Sequence, residues 1–400
     1  MRLAGLLALA LCAGGLARTA SADPMFEAPV VGKGGFGGGP DDAFAGGLVL
    51  DARIVGILGA HRLSIWPDRE LGLEANDPVA AALRVGGVVG SADGAWGLVL
   101  QVDLAEFLRP GSAGVSPWRG DAGAFSGALV DDAYLTWRPD RVFNVVLGRA
   151  RVPFTKFRQY DERDLALGAA PFVVDRIAPD RRWGLLVHGD LGALAYAAGA
   201  WADDDSLEPR AAEDDPSVGG RVAVSAAVEW TPIAPMMGSN PVGQVVGARG
   251  PLPTPRSDPW FDTARAALGL GVLWRDDAHG AQRLDASLSL QWKWRWLAAI
   301  AEGLVVDSKR LGADAELAAT PVDRLSLHLR GEWDPGEAHA VATGLPSHAA
   351  WTAGAGIMWH ATEDRRSRIG VYGWIRRVDV GTGRSARDED AAIVLVQTAL

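Results

Sequence analysis

Residues 324–334 read RLSLHLRGEWD, and their alternation decides the fold. Leu325, Leu327, Leu329 and Trp333 fall on one side of an extended chain. Arg324, Ser326, His328, Arg330, Glu332 and Asp334 fall on the other. A two-residue period belongs to a strand, whose successive side chains point to opposite faces. At 282–292, Leu284, Ala286, Leu288, Leu290 and Trp292 oppose Asp285, Ser287, Ser289 and Gln291. At 95–104, Trp96, Leu98, Leu100, Val102 and Leu104 oppose Gln101 and Asp103.

Sixteen such segments recur with turn signals between them, near 46–57, 81–90, 95–104, 126–137, 142–150, 182–189, 193–202, 218–230, 263–274, 282–292, 297–306, 313–320, 324–334, 350–360, 367–377 and 391–400. The reading is all-β. Apolar residues are 48% of the 400 and charged residues 22%, which excludes disorder. After the first twenty residues, no apolar run approaches the ~18 residues of a spanning helix. A helical membrane protein is excluded, leaving a soluble all-β protein or a transmembrane antiparallel β-barrel.

The N-terminus predicts export. Met1-Arg2 is a short positive start, Leu3 to Leu16 is apolar, and Ala20-Ser21-Ala22 is a cleavage signal. Residues 1–22 are expected to be a signal peptide cleaved after Ala22. The single Cys, Cys12, lies within it, so the mature chain has no thiol and no disulfide framework. Removing Arg2 and Arg18 takes the net charge from −10 to −12, which argues against nucleic acid as a partner. Residues 23–45 are Gly-rich and read as a flexible lead-in to a single barrel domain over 46–400.

Connection lengths choose between sandwich and barrel. Short links (91–94, 138–141, 189–192, 321–323) alternate with longer polar ones (58–80, 105–125, 151–181, 203–217, 335–349, 378–390). That asymmetry is the one expected of an outer-membrane barrel, with short periplasmic turns and long outer loops. The rhythm breaks at 231–262, long where a turn is due, and at 275–281, short where a loop is due. Trp96, Trp137, Trp183, Trp201, Trp230, Trp274, Trp333, Trp351 and Trp359 lie near segment ends, as in an aromatic girdle at headgroup level. Val394, Val396, Thr398 and Leu400 alternate to the last residue, so a terminal strand is expected to pair with the first and close the barrel.

The stretch 142–183 carries the chemistry. Arg149 and Arg151 sit two apart, so they are expected to share a face. A lipid-facing Arg near the midplane costs ~2–4 kcal/mol, so that face should be the lumen. Lys156, Arg158, Arg163, Arg176, Arg181 and Arg182 follow. Against them stand Asp161, Glu162, Asp164, Asp175 and Asp180, a local +3 in an acidic protein. Rings of basic side chains select anions, and the Arg fork suits phosphate and carboxylate oxygens. The alternative is that these cations pair with nearby acids and brace a folded loop.

The same stretch resembles the phosphate-selective porin O/P family. The matching elements are Gly148 to Val152-Pro153-Phe154, the pair Glu162-Arg163, and Arg181-Arg182-Trp183-Gly184. Ala133 to Trp137 and Tyr196 to Trp201 look similar too. The resemblance implies a 16-stranded barrel, usually a homotrimer, among outer-membrane lipids. It also implies passage of small anionic solutes such as phosphate, with 151–181 as constriction loop. Arg149, Arg151, Lys156, Arg158, Arg163, Arg181 and Arg182 are the expected pore-lining, anion-interacting residues. Elsewhere the expected lumen is mixed: Asp51, Asp103, Glu229, Asp285, Glu302 and Glu316 oppose Arg53, Arg221, Arg324 and Arg330, and only four Lys occur.

Other chemistries find little support. There is no Walker A, GxSxG or HExxH motif, so no cofactor, metal or enzymatic activity is expected. His339 and His348 are the sole pair near ligand spacing. Ser326 and His328 share a strand face, which is the point in favour of a barrel lipid hydrolase. A plugged structural barrel is the other alternative.

Overall fold

The computed structural model describes residues 44–62, 78–91, 95–103, 130–139, 142–159, 171–179, 181–191, 193–202, 222–233, 262–276, 282–306, 310–334, 349–361, 368–378 and 387–399. The expected signal peptide and nearly all of the Gly-rich lead-in lie outside these residues.

All sixteen segments are strands. The first half of the sheet is β1 (Phe44–Arg62), β2 (Pro78–Ser91), β3 (Trp96–Asp103), β4 (Val130–Trp137), β5 (Asn144–Arg151), β6 (Arg181–Asp190), β7 (Leu194–Ala202) and β8 (Val222–Ile233). The second half is β9 (Arg265–Asp276), β10 (Gln282–Trp294), β11 (Leu297–Val306), β12 (Arg310–Val322), β13 (Leu325–Asp334), β14 (Ala350–His360), β15 (Arg368–Val378) and β16 (Arg387–Ala399). Each pairs antiparallel with its sequence neighbours. β1 pairs with β16 from Asp51↔Ala399 to Arg62↔Asp390, which closes the barrel and removes the open edges. β1 begins two residues earlier than its alternation suggested, because Phe44 and Ala45 already pair with Ser91 and Gly90.

One end gathers the connections 63–77, 104–129, 152–180, 203–221, 277–281, 307–309, 335–349 and 379–386, and is called the loop end below. The turn end gathers 92–95, 138–143, 191–193, 234–264, 295–296, 323–324 and 361–367. Thus the count of sixteen holds, but a strict alternation of connection length does not. A two-residue hairpin can close antiparallel strands at either end, so barrel geometry does not forbid a short loop or a long turn.

The alternation fixes two faces. On β13, Leu327, Leu329 and Trp333 point outward, Leu329 with 57% exposure, while Ser326, His328, Arg330, Glu332 and Asp334 are buried. On β10, Leu284, Leu288 and Leu290 point outward and Asp285, Ser287, Ser289 and Gln291 inward. Arg324 departs from the expected lumen face: it lies in the turn at 323–324, exposed.

Tryptophans bound the apolar outer face. Trp96, Trp137, Trp230, Trp294, Trp296 and Trp359 are exposed near the turn end, and Trp183, Trp333 and Trp351 near the loop end. Trp96 stacks on Trp137 at 5.9 Å between ring centroids. Trp201 is a correction to the expected girdle. It points inward, is 2% exposed, and donates Nε1–H to Ser225 Oγ at 2.8 Å. A Cβ on Gly199 would lie 2.6 Å from its ring, so that position must stay bare.

Candidate functional site: a loop folded into the barrel

The connection between β5 and β6 turns into the barrel interior. Gly148 opens it with φ 135°, a conformation that L side chains rarely adopt. Val152, Pro153, Phe154 and Thr155 follow, all buried, then a short helix α1 (Lys156–Gln159). A second short helix, α2 (Phe172–Ile177), returns the chain toward β6. Val152, Phe154, Phe157, Val173, Val174, Ile177 and Ala178 share one apolar cluster with inward residues of the wall, among them Tyr134, Leu186, Trp201, Leu273, Ile300 and Leu304. Apolar inward positions therefore occur where the loop packs.

Polar groups of the far wall fix the loop. The Phe154 carbonyl accepts Ser287 Oγ–H at 2.6 Å and occupies the space a Cβ on Gly271 would need. Lys156 donates its backbone N–H to Glu302 Oε1 at 2.8 Å, and its ammonium pairs with Glu229. Thr155 Oγ1 accepts the Arg158 N–H at 3.3 Å, so α1 is capped both by its own chain and by β11. The residue before α2 is Pro171, whose side chain supplies no cap. Glu332 of β13 serves instead, accepting the Val173 N–H at 3.3 Å. At the other end of α2, Arg275 of β9 donates to the Ile177 carbonyl at 3.2 Å. Arg330 lies 5.8 Å from the Phe157 ring centroid, within cation–π range, and pairs with Glu316 at 2.7 Å. A loop rooted between β5 and β6 is thus held by β8 to β13.

The expected site residues separate into groups. Arg181 is buried, and its Nε donates to Asp132 Oδ1 at 2.8 Å. Lys156 is buried and paired as above. Arg151 is buried opposite Arg181. Arg158 and Arg182 are half-buried, the latter donating to the Arg181 carbonyl at 3.4 Å. Arg149 does not take the face expected of it. It is half-buried and stands opposite Ala133 and Trp183, and Trp183 is exposed on the outside. Residues opposite one another share a side of the sheet, so Arg149 belongs to an outward row. The alternation runs on through Gly148, with Leu147 exposed outside and Val146 and Ala150 buried inside, and it lapses only at Arg151, which is buried where an outward residue is due. Arg163, His339 and His348 lie outside the described residues.

Sequence reading missed the anchors Glu332, Arg275, Ser287 and Gly271, and gave Glu302 only as a lumen acid. Their inward orientation follows from alternation. Nothing local says that a loop 98 or more residues away will reach them. Two further features complete the interior. Glu302, Asp314 and Glu332 stand directly opposite one another on β11, β12 and β13. At the loop end, Arg151, Arg181, Arg275, Arg283 and Arg376 all face inward. Asp132, Asp285 and Asp334 each pair with one or two of these arginines. Ser326 Oγ is hydrogen-bonded to His328 Nε2 at 2.7 Å and to His360 Nε2 at 2.8 Å, and all three side chains are sealed from solvent. Among the described residues there is no cluster of His, Cys, Asp or Glu fit to hold a metal.

No protein-family profile and no curated protein matches the chain. Solved structures do. The outer membrane channel DcaP of Acinetobacter baumannii matches with a TM-score of 0.50 and 12% identity, over 91% of this chain and 99% of that one. A chain described under asymmetric conductivity of engineered proteins matches with 0.50 and 12%, over 89% and 100%. An anion-selective porin from Comamonas acidovorans matches with 0.49 and 12%, over 89% and 100%. At such identities the likeness is one of fold, and the neighbours are channels and porins rather than enzymes. The chain has the barrel fold of outer-membrane porins.

Proposed function

We propose that the protein is a porin of the bacterial outer membrane, exported by residues 1–22 and cleaved after Ala22. It passes small solutes by diffusion and prefers small anions such as phosphate. The observation that carries this reading is the pair of loop segments 152–159 and 171–179, packed inside the barrel beneath inward arginines at the loop end. Fixed charges at a narrow, low-dielectric passage act more strongly than charge spread over the surface, which salt screens beyond ~8–10 Å. The local cations therefore outweigh the acidic net charge. Residues 151–181 constrict the pore, the loop end faces outward, and the assembly is a homotrimer among outer-membrane lipids. The likeness of Gly148 to Phe154 and Arg181 to Gly184 to the phosphate-selective porin O/P family supports the finer reading.

The burial of Lys156 and Arg181 in ion pairs assigns these two to bracing, and the half-buried Arg158 and Arg182 carry more of the selectivity. Planar-bilayer recording in a salt gradient tests the proposal: a reversal potential on the anion side is expected. A cation-side reversal refutes the selectivity, and an absence of conductance refutes the porin. One observation favours a plugged barrel as second reading: the loop builds an apolar core with the inner wall. A steady conductance from protein with the loop in place excludes it.

A further inference from the structure

We infer that Arg275 and Arg283 form a binding site for a small oxyanion, phosphate or carboxylate, at the loop end of the lumen. This deepens the anion-porin reading and rests on it for the site's role, though not for its binding. The two arginines stand directly opposite each other on β9 and β10, facing inward. Like charges in that relation repel. One fully buried carboxylate lies between them: Asp285 accepts Arg283 Nε–H at 2.8 Å and lies 3.5 Å from Arg275 Nη2. Arg275 is also aimed by the carbonyl of Ile177 at the end of α2. Both guanidiniums are therefore held in place before any solute arrives.

Arg283 spends only Nε on Asp285. Its Nη2 is enclosed and has no hydrogen-bond acceptor among the described residues. An enclosed guanidinium nitrogen without an acceptor is costly, and an added acceptor there gains strength from the low dielectric. Nη2 itself is sealed, but the side chains keep 12% and 13% exposure, so other parts of the pair are reachable from the lumen. An oxyanion meets Nη2 once the Arg283 side chain shifts. Several planar N–H donors on two forks match an anion with two or more oxygens better than a halide. The ligand class is thus an oxyanion. The site lies where α2 meets the wall, at the edge of the passage the loop narrows.

The test is titration calorimetry of inorganic phosphate into the full-length, detergent-solubilised barrel. Wild type should bind phosphate and not chloride. Arg283→Gln should weaken binding about tenfold or more, and Arg283→Lys, which keeps the charge but loses the fork, should fall between. Arg295→Gln removes the same charge from an exposed turn at the other end, where Arg295 pairs with Asp262 at 3.1 Å, and should leave binding unchanged. Absence of phosphate binding by wild type overturns the site. So does equal affinity in a folded Arg283→Gln barrel, or in Arg283→Lys should the Gln variant not fold. Bilayer current from the same preparations reports on the porin reading separately, since a barrel can conduct without this site and bind phosphate without conducting.

Discussion

Arg181 Nε donates to Asp132 Oδ1 at 2.8 Å across the barrel wall, with both side chains almost wholly enclosed. Arg181 sits where the loop rejoins the sheet, at the first residue of β6, and Asp132 lies on β4. The pair ties the loop's exit to the strand beyond its entry. A charge set that reads in sequence as an anion filter is, at this residue, a clasp.

Removing one partner should cost more than removing both. Arg181→Met leaves Asp132 enclosed without its cation, a loss of about 3–5 kcal/mol. Arg181→Met with Asp132→Leu should regain much of it. Urea unfolding of the refolded barrels, followed by gel mobility, measures both. Equal destabilisation of the single and double variants contradicts a clasp.

The loop anchors should govern pore size. Replacing Glu302 and Glu332 with Ala removes the acceptors for the Lys156 and Val173 N–H groups. Each lost hydrogen bond is worth about 0.5–1.5 kcal/mol. The expected result is a larger, noisier single-channel conductance with normal assembly. Gln at both positions retains an acceptor oxygen and should behave closer to wild type.

Gly271 should accept no side chain. Its missing Cβ is replaced by the Phe154 carbonyl, so Gly271→Val must push the loop off β9 or break the bond from Ser287. Limited proteolysis should cut the variant between 152 and 180 faster than wild type. A change at Gly331, where an added Cβ meets nothing within 4 Å, serves as control.

The two faces of β13 should respond differently, but not as alternation alone implies. Leu329→Arg places a charge on the lipid face and should cost ~2–4 kcal/mol, seen as reduced folded protein in membranes. Ser326→Arg, although inward, should also fail. Ser326 is fully enclosed between His328 and His360, so the arginine finds no space and no water. An inward position is therefore not automatically a tolerant one.

The alternation in segments such as 282–292 and 324–334 determined the strand class, the number of strands and which face is apolar. This information is local. Each strand carries its own two-residue period, and each Trp marks its own strand end. Even the two departures from expectation keep that period. Arg149 keeps the outward row of Leu147, and Trp201 keeps the inward row of Ala197 and Gly199, where the bare Gly199 leaves room for its ring. The loop's destination was beyond the sequence altogether. Glu302 and Glu332 are ordinary inward acids until closure of sixteen strands brings β11 and β13 opposite β5. Only then do their carboxylates meet the N–H groups of Lys156 and Val173. Whether a buried cation filters or braces is settled by the carboxylate the fold brings to it, Asp132 of β4 for Arg181 and Glu229 of β8 for Lys156. Those contacts exist only once the strands have paired and the loop has folded inward.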